Sequence, residues 1–113
     1  MSPQAMLSSL EHLVIAAALR LPDAYGAAIV TEIESQTGRT VPAGSLYVTL
    51  DRLQRRGLVA TYAGEPVPGR GGRPRRIVEV TVDGMAAIAR YREACLRMWS
   101  GIERDLGDAV GAR

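Results

Sequence analysis

Lysine is absent from this 113-residue chain, and cysteine, histidine and tryptophan each occur once. One His and one Cys, with no ligands clustered around them, leave almost nothing for a metal site or a nucleophile–base pair. No cofactor and no enzymatic activity are therefore expected. The lone Cys95 cannot close an internal disulfide, which fits a reducing cytosol. Long hydrophobic runs are also missing: the longest uncharged apolar stretch, Leu13 to Leu19, is seven residues. A membrane span needs about 20. Met-Ser-Pro-Gln at the start brings no basic flank to a hydrophobic segment, so no secretory signal is expected and the location reads as cytoplasmic. All 14 basic residues are Arg, a bias that genomic base composition alone can produce.

What is present is a globular composition, 47% hydrophobic and 23% charged, in a length that suits one domain. The net charge of +2 conceals an uneven distribution. Residues 1–38 hold one Arg against four acids, a balance of −3. Residues 39–81 hold eight Arg against three acids, a balance of +5, and residues 82–113 are neutral. A basic middle third suits a surface that meets a polyanion. A solvated basic face without a partner would have the same composition.

Leu7, Leu10, Val14, Ala17 and Leu21 recur at steps of three and four, which predicts a first helix with one buried stripe. Pro22 ends it. Asp23 is the expected N-cap of a second helix through about Thr37, with Ala28, Ile29 and Ile33 inward and Gly38 as its stop. A third helix is expected from near Pro42 to about Arg56, with Leu46, Leu50 and Leu53 as its buried stripe and Gly57 as its stop. Leu58–Tyr62 and Ile77–Val82 read as strands of a hairpin. Between them, Gly, Pro and Arg supply eleven of the thirteen residues from Gly64 to Arg76. Thr81 or Asp83 opens a last helix expected to run unbroken to about Leu106. The expected fold is mainly α with a small β-hairpin, a winged helix-turn-helix plus a long C-terminal dimerisation helix. Residues 1–82 would form the DNA-binding region and residues 83–113 the dimerisation helix and tail.

Five stretches resemble the PadR family of bacterial transcriptional regulators. They are Ala24-Tyr25-Gly26, Gly44-Ser45-Leu46-Tyr47-Val48-Thr49-Leu50-Asp51-Arg52-Leu53, Arg56-Gly57-Leu58-Val59, Gly72-Arg73-Pro74-Arg75-Arg76 and Val80-Thr81-Val82-Asp83-Gly84. They occur in order across roughly residues 10 to 105. The resemblance implies a winged-helix DNA-binding domain, a C-terminal helix for dimerisation, and repression relieved by a small molecule. It further suggests that the first helix packs on the partner's last helix. Ile77 and Val78 stand where relatives often carry aromatics, and Val48 where Pro is common.

The third helix is expected to enter the major groove. Ser45 can bond a base or phosphate, Val48 can pack on a thymine methyl, and Arg52 can fork onto guanine, worth roughly 1–3 kcal/mol of discrimination. Tyr25 and Thr49 complete the expected contacts of the helical region. Tyr47 is either a phosphate contact or a core tyrosine, and Arg55 and Arg56 either face DNA or complement the helix dipole. Arg70, Arg73 and Arg75, with Arg76, make a glycine-interleaved basic finger suited to phosphates or a narrow minor groove. The alternative is a solvated loop.

Met85, Ile88, Arg92, Cys95, Trp99, Ile102 and Leu106 follow a heptad spacing broken only at Arg92. Ile88, Cys95, Trp99, Ile102 and Leu106 are therefore the expected homodimer seam, unless the helix folds back on its own domain. Trp99 is either interface core or the stacking face for a planar apolar effector. Cys95 reads as an inert seam thiol rather than a redox sensor, and His12 as structural or solvent-facing. The partners expected are double-stranded DNA with an inverted-repeat operator, a second copy of the chain and a planar apolar effector, and no membrane. The leading function is a dimeric repressor; the alternative is a winged-helix module for protein or RNA.

Overall fold

A computed structural model describes residues 5–66, 68, 69, 71 and 74–111. The elements in chain order are α1 (Ser9–Arg20), α2 (Gly26–Thr37), α3 (Ala43–Arg55), β1 (Val59–Pro66), β2 (Pro74–Val80), α4 (Val82–Trp99) and α5 (Glu103–Gly111). Three helices followed by a two-stranded antiparallel wing and a C-terminal helical region reproduce the expected class.

Helix α1 begins at Ser9 rather than Leu7 because Ser8 caps it. Ser8 Oγ accepts from the Glu11 amide at 3.1 Å, and Glu11 Oε1 accepts from the Ser8 amide at 2.7 Å. This reciprocal box satisfies two amides that the first turn leaves open. Asp23 does not cap α2; Tyr25 holds that position, in extended conformation and without a side-chain cap. The sheet explains the shift. The Val78 amide donates to the Ala24 carbonyl at 2.7 Å, and Tyr25 bridges Ile77, so the backbone ahead of α2 serves as a short third strand. The helix can start only after that pairing ends. Gly38 and Gly57 stop α2 and α3 as expected, at φ +76° and +73°, a conformation that other residues adopt at a cost.

The hairpin extends further into the basic segment than expected. β1 continues to Pro66 and β2 starts at Pro74, with the register shifting between Ala63 and Pro66. Arg75 and Arg76 therefore sit on a strand, not in a loop. At its other end β2 stops at Val80, because Thr81 caps α4 by accepting from the Gly84 amide at 3.0 Å. Val82, expected as strand, is an exposed helical residue.

The last helix is not continuous. α4 ends at Trp99 and α5 begins at Glu103, with Gly101 at φ +89° between them. Within the break, Glu103 accepts from the Gly101 amide at 3.0 Å. Ile102 and Leu106 consequently lie beyond the end of α4, and the expected seam is split into two segments.

The core sits between α1, α2, α3 and the root of the wing. Val14, Ile15, Ile29, Leu46, Leu53 and Leu58 are its fully buried members. Ala87, Ile88 and Tyr91 bring the first half of α4 onto this core, whereas Leu96, Met98 and Trp99 in its second half stay exposed. Arg20 Nε meets Glu32 Oε2 at 2.7 Å, linking α1 to α2 at the surface and holding the Glu32 carboxyl below its usual range.

Candidate nucleic-acid interface

Helix α3 buries Leu46, Thr49, Leu50 and Leu53. The step of three from Leu46 puts Thr49 on the buried stripe, where it is 5% exposed and its hydroxyl donates to the Ser45 carbonyl at 2.8 Å. Thr49 thus faces inward, and its expected contact with DNA does not fit that position. Ser45, Tyr47, Val48 and Arg52 are exposed, Tyr47 by 56% and Val48 by 54%. Asp51 and Arg55 approach at 3.5 Å across one turn, both in solvent, where such a pair contributes little.

Tyr47 is not a core residue. Its hydroxyl reaches back to the start of α2, where a Cβ on Gly26 would stand 3.3 Å from Tyr47 Oη and from Leu46 Cδ2. A groove of about 210 Å³ runs between the start of α2, α3 and β2, lined by Tyr25, Tyr47, Leu50, Arg75, Arg76 and Val78. Over Tyr25 lies the Arg75 guanidinium, 4.0 Å from the ring centroid, close enough for cation–π attraction. The structure therefore gathers Tyr25, Tyr47 and Arg75 beside the exposed face of α3. Arg76 instead bonds Thr61 and Gln54, with its Nε donating to Thr61 Oγ1 at 3.0 Å. Arg70 and Arg73 lie outside the described residues.

Arg56 is withdrawn from this surface altogether. Its side chain is 7% exposed and its Nη1 donates to both Glu11 carboxylate oxygens at 3.2 Å, while Nη2 donates to the Ala5 carbonyl. Neither the dipole nor the DNA reading of Arg56 anticipates this partner, which stands 45 positions away in sequence.

A second, mostly apolar cleft of about 390 Å³ opens along α4, lined by His12, Ile88, Tyr91, Cys95, Leu96 and Trp99. His12 stacks on Tyr91 with ring centroids 4.2 Å apart and planes 15° from parallel. Burial pushes the His12 imidazole below its ordinary pKa; bonds with the Ser9 and Ser8 backbone oppose this and Arg39 adds to it. Burial, helped by Cys95, raises the Tyr91 hydroxyl. Cys95 is half-buried and Trp99 is 52% exposed. Ile88 packs partly on its own core, while Ile102 and Leu106 are exposed. Among the described residues no group of three or more His, Cys, Asp or Glu could hold a metal ion, and no helix is long and apolar enough to cross a membrane.

The profile of the transcriptional regulator PadR-like family matches residues 15–90. No curated protein matches the chain. Among solved structures, a transcriptional regulator from Clostridium thermocellum is similar at 20% identity and TM-score 0.69, over 84% of this chain and 90% of that one. A PadR family transcription regulator from Clostridium difficile is similar at 17% identity and TM-score 0.62, over 91% and 99%. A PadR-like transcriptional regulator from Bacillus cereus is similar at 18% identity and TM-score 0.66, over 89% and 90%. These likenesses support the winged-helix fold, and the profile runs from the second half of α1 through α2, α3 and the wing to the first half of α4. The chain belongs to the PadR-like family of transcriptional regulators, winged-helix DNA-binding proteins and not enzymes.

Proposed function

We propose that this chain is a dimeric, sequence-specific repressor that binds an inverted-repeat operator and releases it when a planar apolar effector binds. The observation that carries the reading is the adjacency of two elements: the exposed face of α3 bearing Ser45, Val48 and Arg52, and the half-buried wing root where Arg75 lies over Tyr25. A helix face of this kind fits the major groove, and an arginine-bearing wing beside it fits the flanking backbone. Tyr47, exposed and lining the groove, suits a phosphate. In the sequence, Arg70 and Arg73 fall between β1 and β2.

Residues 1–82 would then read the operator and residues 83–113 would join two copies. Support for the second role is the exposure of Trp99, Ile102 and Leu106 in a stretch whose own core is already packed. Cys95 and Ile88 flank that surface on the cleft side. The cleft beside Trp99 is apolar and close to this surface, so a flat compound bound there could alter the separation of two α3 helices. A DNA partner fits a cytoplasmic location.

Footprinting on the chain's own upstream region tests the reading. Two protected half-sites with centres about 10 bp apart, one helical turn, are expected. Protection of one unpaired half-site at saturation would remove the dimer. Binding to RNA or protein with no duplex protected would favour the interaction-module alternative.

A further inference from the structure

β2 carries two consecutive arginines, and the alternation of a strand sends them to opposite faces of the hairpin. Arg75 lies over Tyr25. Arg76 points to the face that meets α3. Its Nε donates to Thr61 Oγ1 at 3.0 Å and its Nη2 donates to Gln54 Oε1 at 3.2 Å. Gln54 Nε2 donates in turn to Thr61 Oγ1 at 3.3 Å. The three bonds close a ring with one corner on α3, one on β1 and one on β2. Both ends of the Gln54 amide are engaged, and the Thr61 hydroxyl accepts twice.

We propose that Gln54, Thr61 and Arg76 form a brace that sets the direction of the wing against α3, so that Arg76 is a positioning residue and not a phosphate contact. The inference rests on the reading that α3 and the wing grip DNA together. A two-stranded hairpin has little stability of its own. Here it leaves α3 through a short turn at Gly57, pinned by the Gly57 and Leu58 amides donating to the Gln54 and Leu53 carbonyls, and beyond Ala63 its register shifts. Backbone pairing holds the strands to each other and Val59, Ile77 and Val78 bury the root of the hairpin in the core, but the direction of the exposed part relative to α3 must also be held. Among the described residues, the bonds from Gln54 are the side-chain hydrogen bonds that do so. A guanidinium suits this corner because its planar fork reaches two acceptors at once, which an ammonium on a flexible stem does not reproduce.

The test uses duplexes selected by the full-length protein from a random-sequence pool, with affinity measured across a salt series. Gln54→Leu removes no charge, yet is expected to weaken binding by about tenfold with an unchanged salt slope. Arg76→Lys should lose as much as Arg76→Ala. In an Arg75→Ala background the Arg76→Ala loss should shrink, because a weakened wing gains less from correct placement. A role in stability alone would leave the two losses additive. Gln54→Leu binding as tightly as the unaltered chain would overturn the brace, as would a salt slope lowered by about 1 in Arg76→Ala and restored by Lys. NMR of the Arg76 Nε–H supplies a readout without DNA: slow exchange in the unaltered chain, faster in Gln54→Leu. If no duplex is selected, the DNA reading fails, whereas free-arginine exchange at Arg76 overturns the brace itself.

Discussion

Glu11, in the first turn of α1, and Arg56, just past the end of α3, form an ion pair whose side chains are 9% and 7% exposed. The same carboxylate caps its own helix through the Ser8 amide, so one residue fixes both the start of α1 and the end of α3. Removing one partner strands the other charge out of water. Arg56→Ala or Glu11→Ala is expected to cost about 3–5 kcal/mol in denaturant unfolding. Replacing both with apolar residues of similar size should cost far less. Arg56→Met, where it still folds, should keep the salt slope of DNA binding, because this arginine is not on the binding face. A slope lowered by about 1 would place it there after all.

Gly84 packs against the turn that leads into the wing. A Cβ at this position would overlap the Leu58 carbonyl oxygen and stand 2.8 Å from Val80 Cγ1. Backbone is the obstacle, so α4 itself must shift. Gly84→Ala should destabilise by about 1–3 kcal/mol or more. Gly44→Ala, in the open first turn of α3 with nothing within 4 Å, should instead stabilise by roughly 0.5–1 kcal/mol. Urea midpoints of the two variants moving in the same direction would contradict this contrast.

Which parts were legible in the sequence follows from how local their causes are. The leucine and isoleucine positions of α2 and α3 and the glycine stops at Gly38 and Gly57 depend on neighbours within a turn or two, and they read correctly; the α1 stripe was read in part, with Val14 and Ala17 buried as expected but Ile15 and Ala18 missed. The Ser8–Glu11 cap was also visible as Ser-x-x-Glu, but the apolar stripe drew the helix start to Leu7. Thr49 was recoverable too, since it lies three residues from Leu46 on the stripe. The start of α2 was not, because Ala24 and Tyr25 pair with a strand some fifty residues later. Arg56 found its partner across a similar distance. At Gly101 the heptad spacing of apolar residues continued through a break, and the signal was the glycine itself.

His12 gives the fold a dependence on acid. Its folded pKa lies below its ordinary value of 6.5, chiefly through burial against α4, so the unfolded chain binds a proton more readily. Stability should therefore be undiminished above about pH 6.5 and fall as the pH drops from there towards the lower folded value. His12→Phe keeps a ring to stack on Tyr91 and cannot titrate. Urea midpoints measured from pH 7.5 down to 5.5 should fall more steeply for the unaltered chain than for this variant. Parallel curves would assign the acid sensitivity to other groups.

The arginines of the proposed interface should separate by the kind of loss they produce. Arg75→Ala is expected to weaken binding to every duplex and to lower the salt slope by about 1, as for a phosphate contact. Arg52→Ala should relax preference at one base position, with a cost of about 1–3 kcal/mol on the preferred sequence and little on others. Selection from a random pool with each variant distinguishes the two. A change in base preference from Arg75→Ala, with the salt slope untouched, would move the base contact from α3 to the wing.

Trp99 decides whether the α4 cleft takes a ligand. The indole is half exposed and lines a mostly apolar cleft together with the stacked His12 and Tyr91 rings, so a flat compound there has aromatic surface to meet. Stacking of this kind adds roughly 0.5–1.5 kcal/mol beyond the burial of area. If binding favours a spacing of the two α3 helices that the operator does not accept, linkage requires DNA to weaken the ligand by the same factor as the ligand weakens DNA. Trp99 fluorescence titrated with a panel of planar aromatic compounds should show quenching, and a quenching compound should lower operator affinity. Trp99→Ala should abolish the response to that compound while leaving the operator sequence preference as it was. No quenching across the panel, with operator affinity unmoved by every compound, would leave Trp99 as interface core and the cleft as a seam between two copies of the chain.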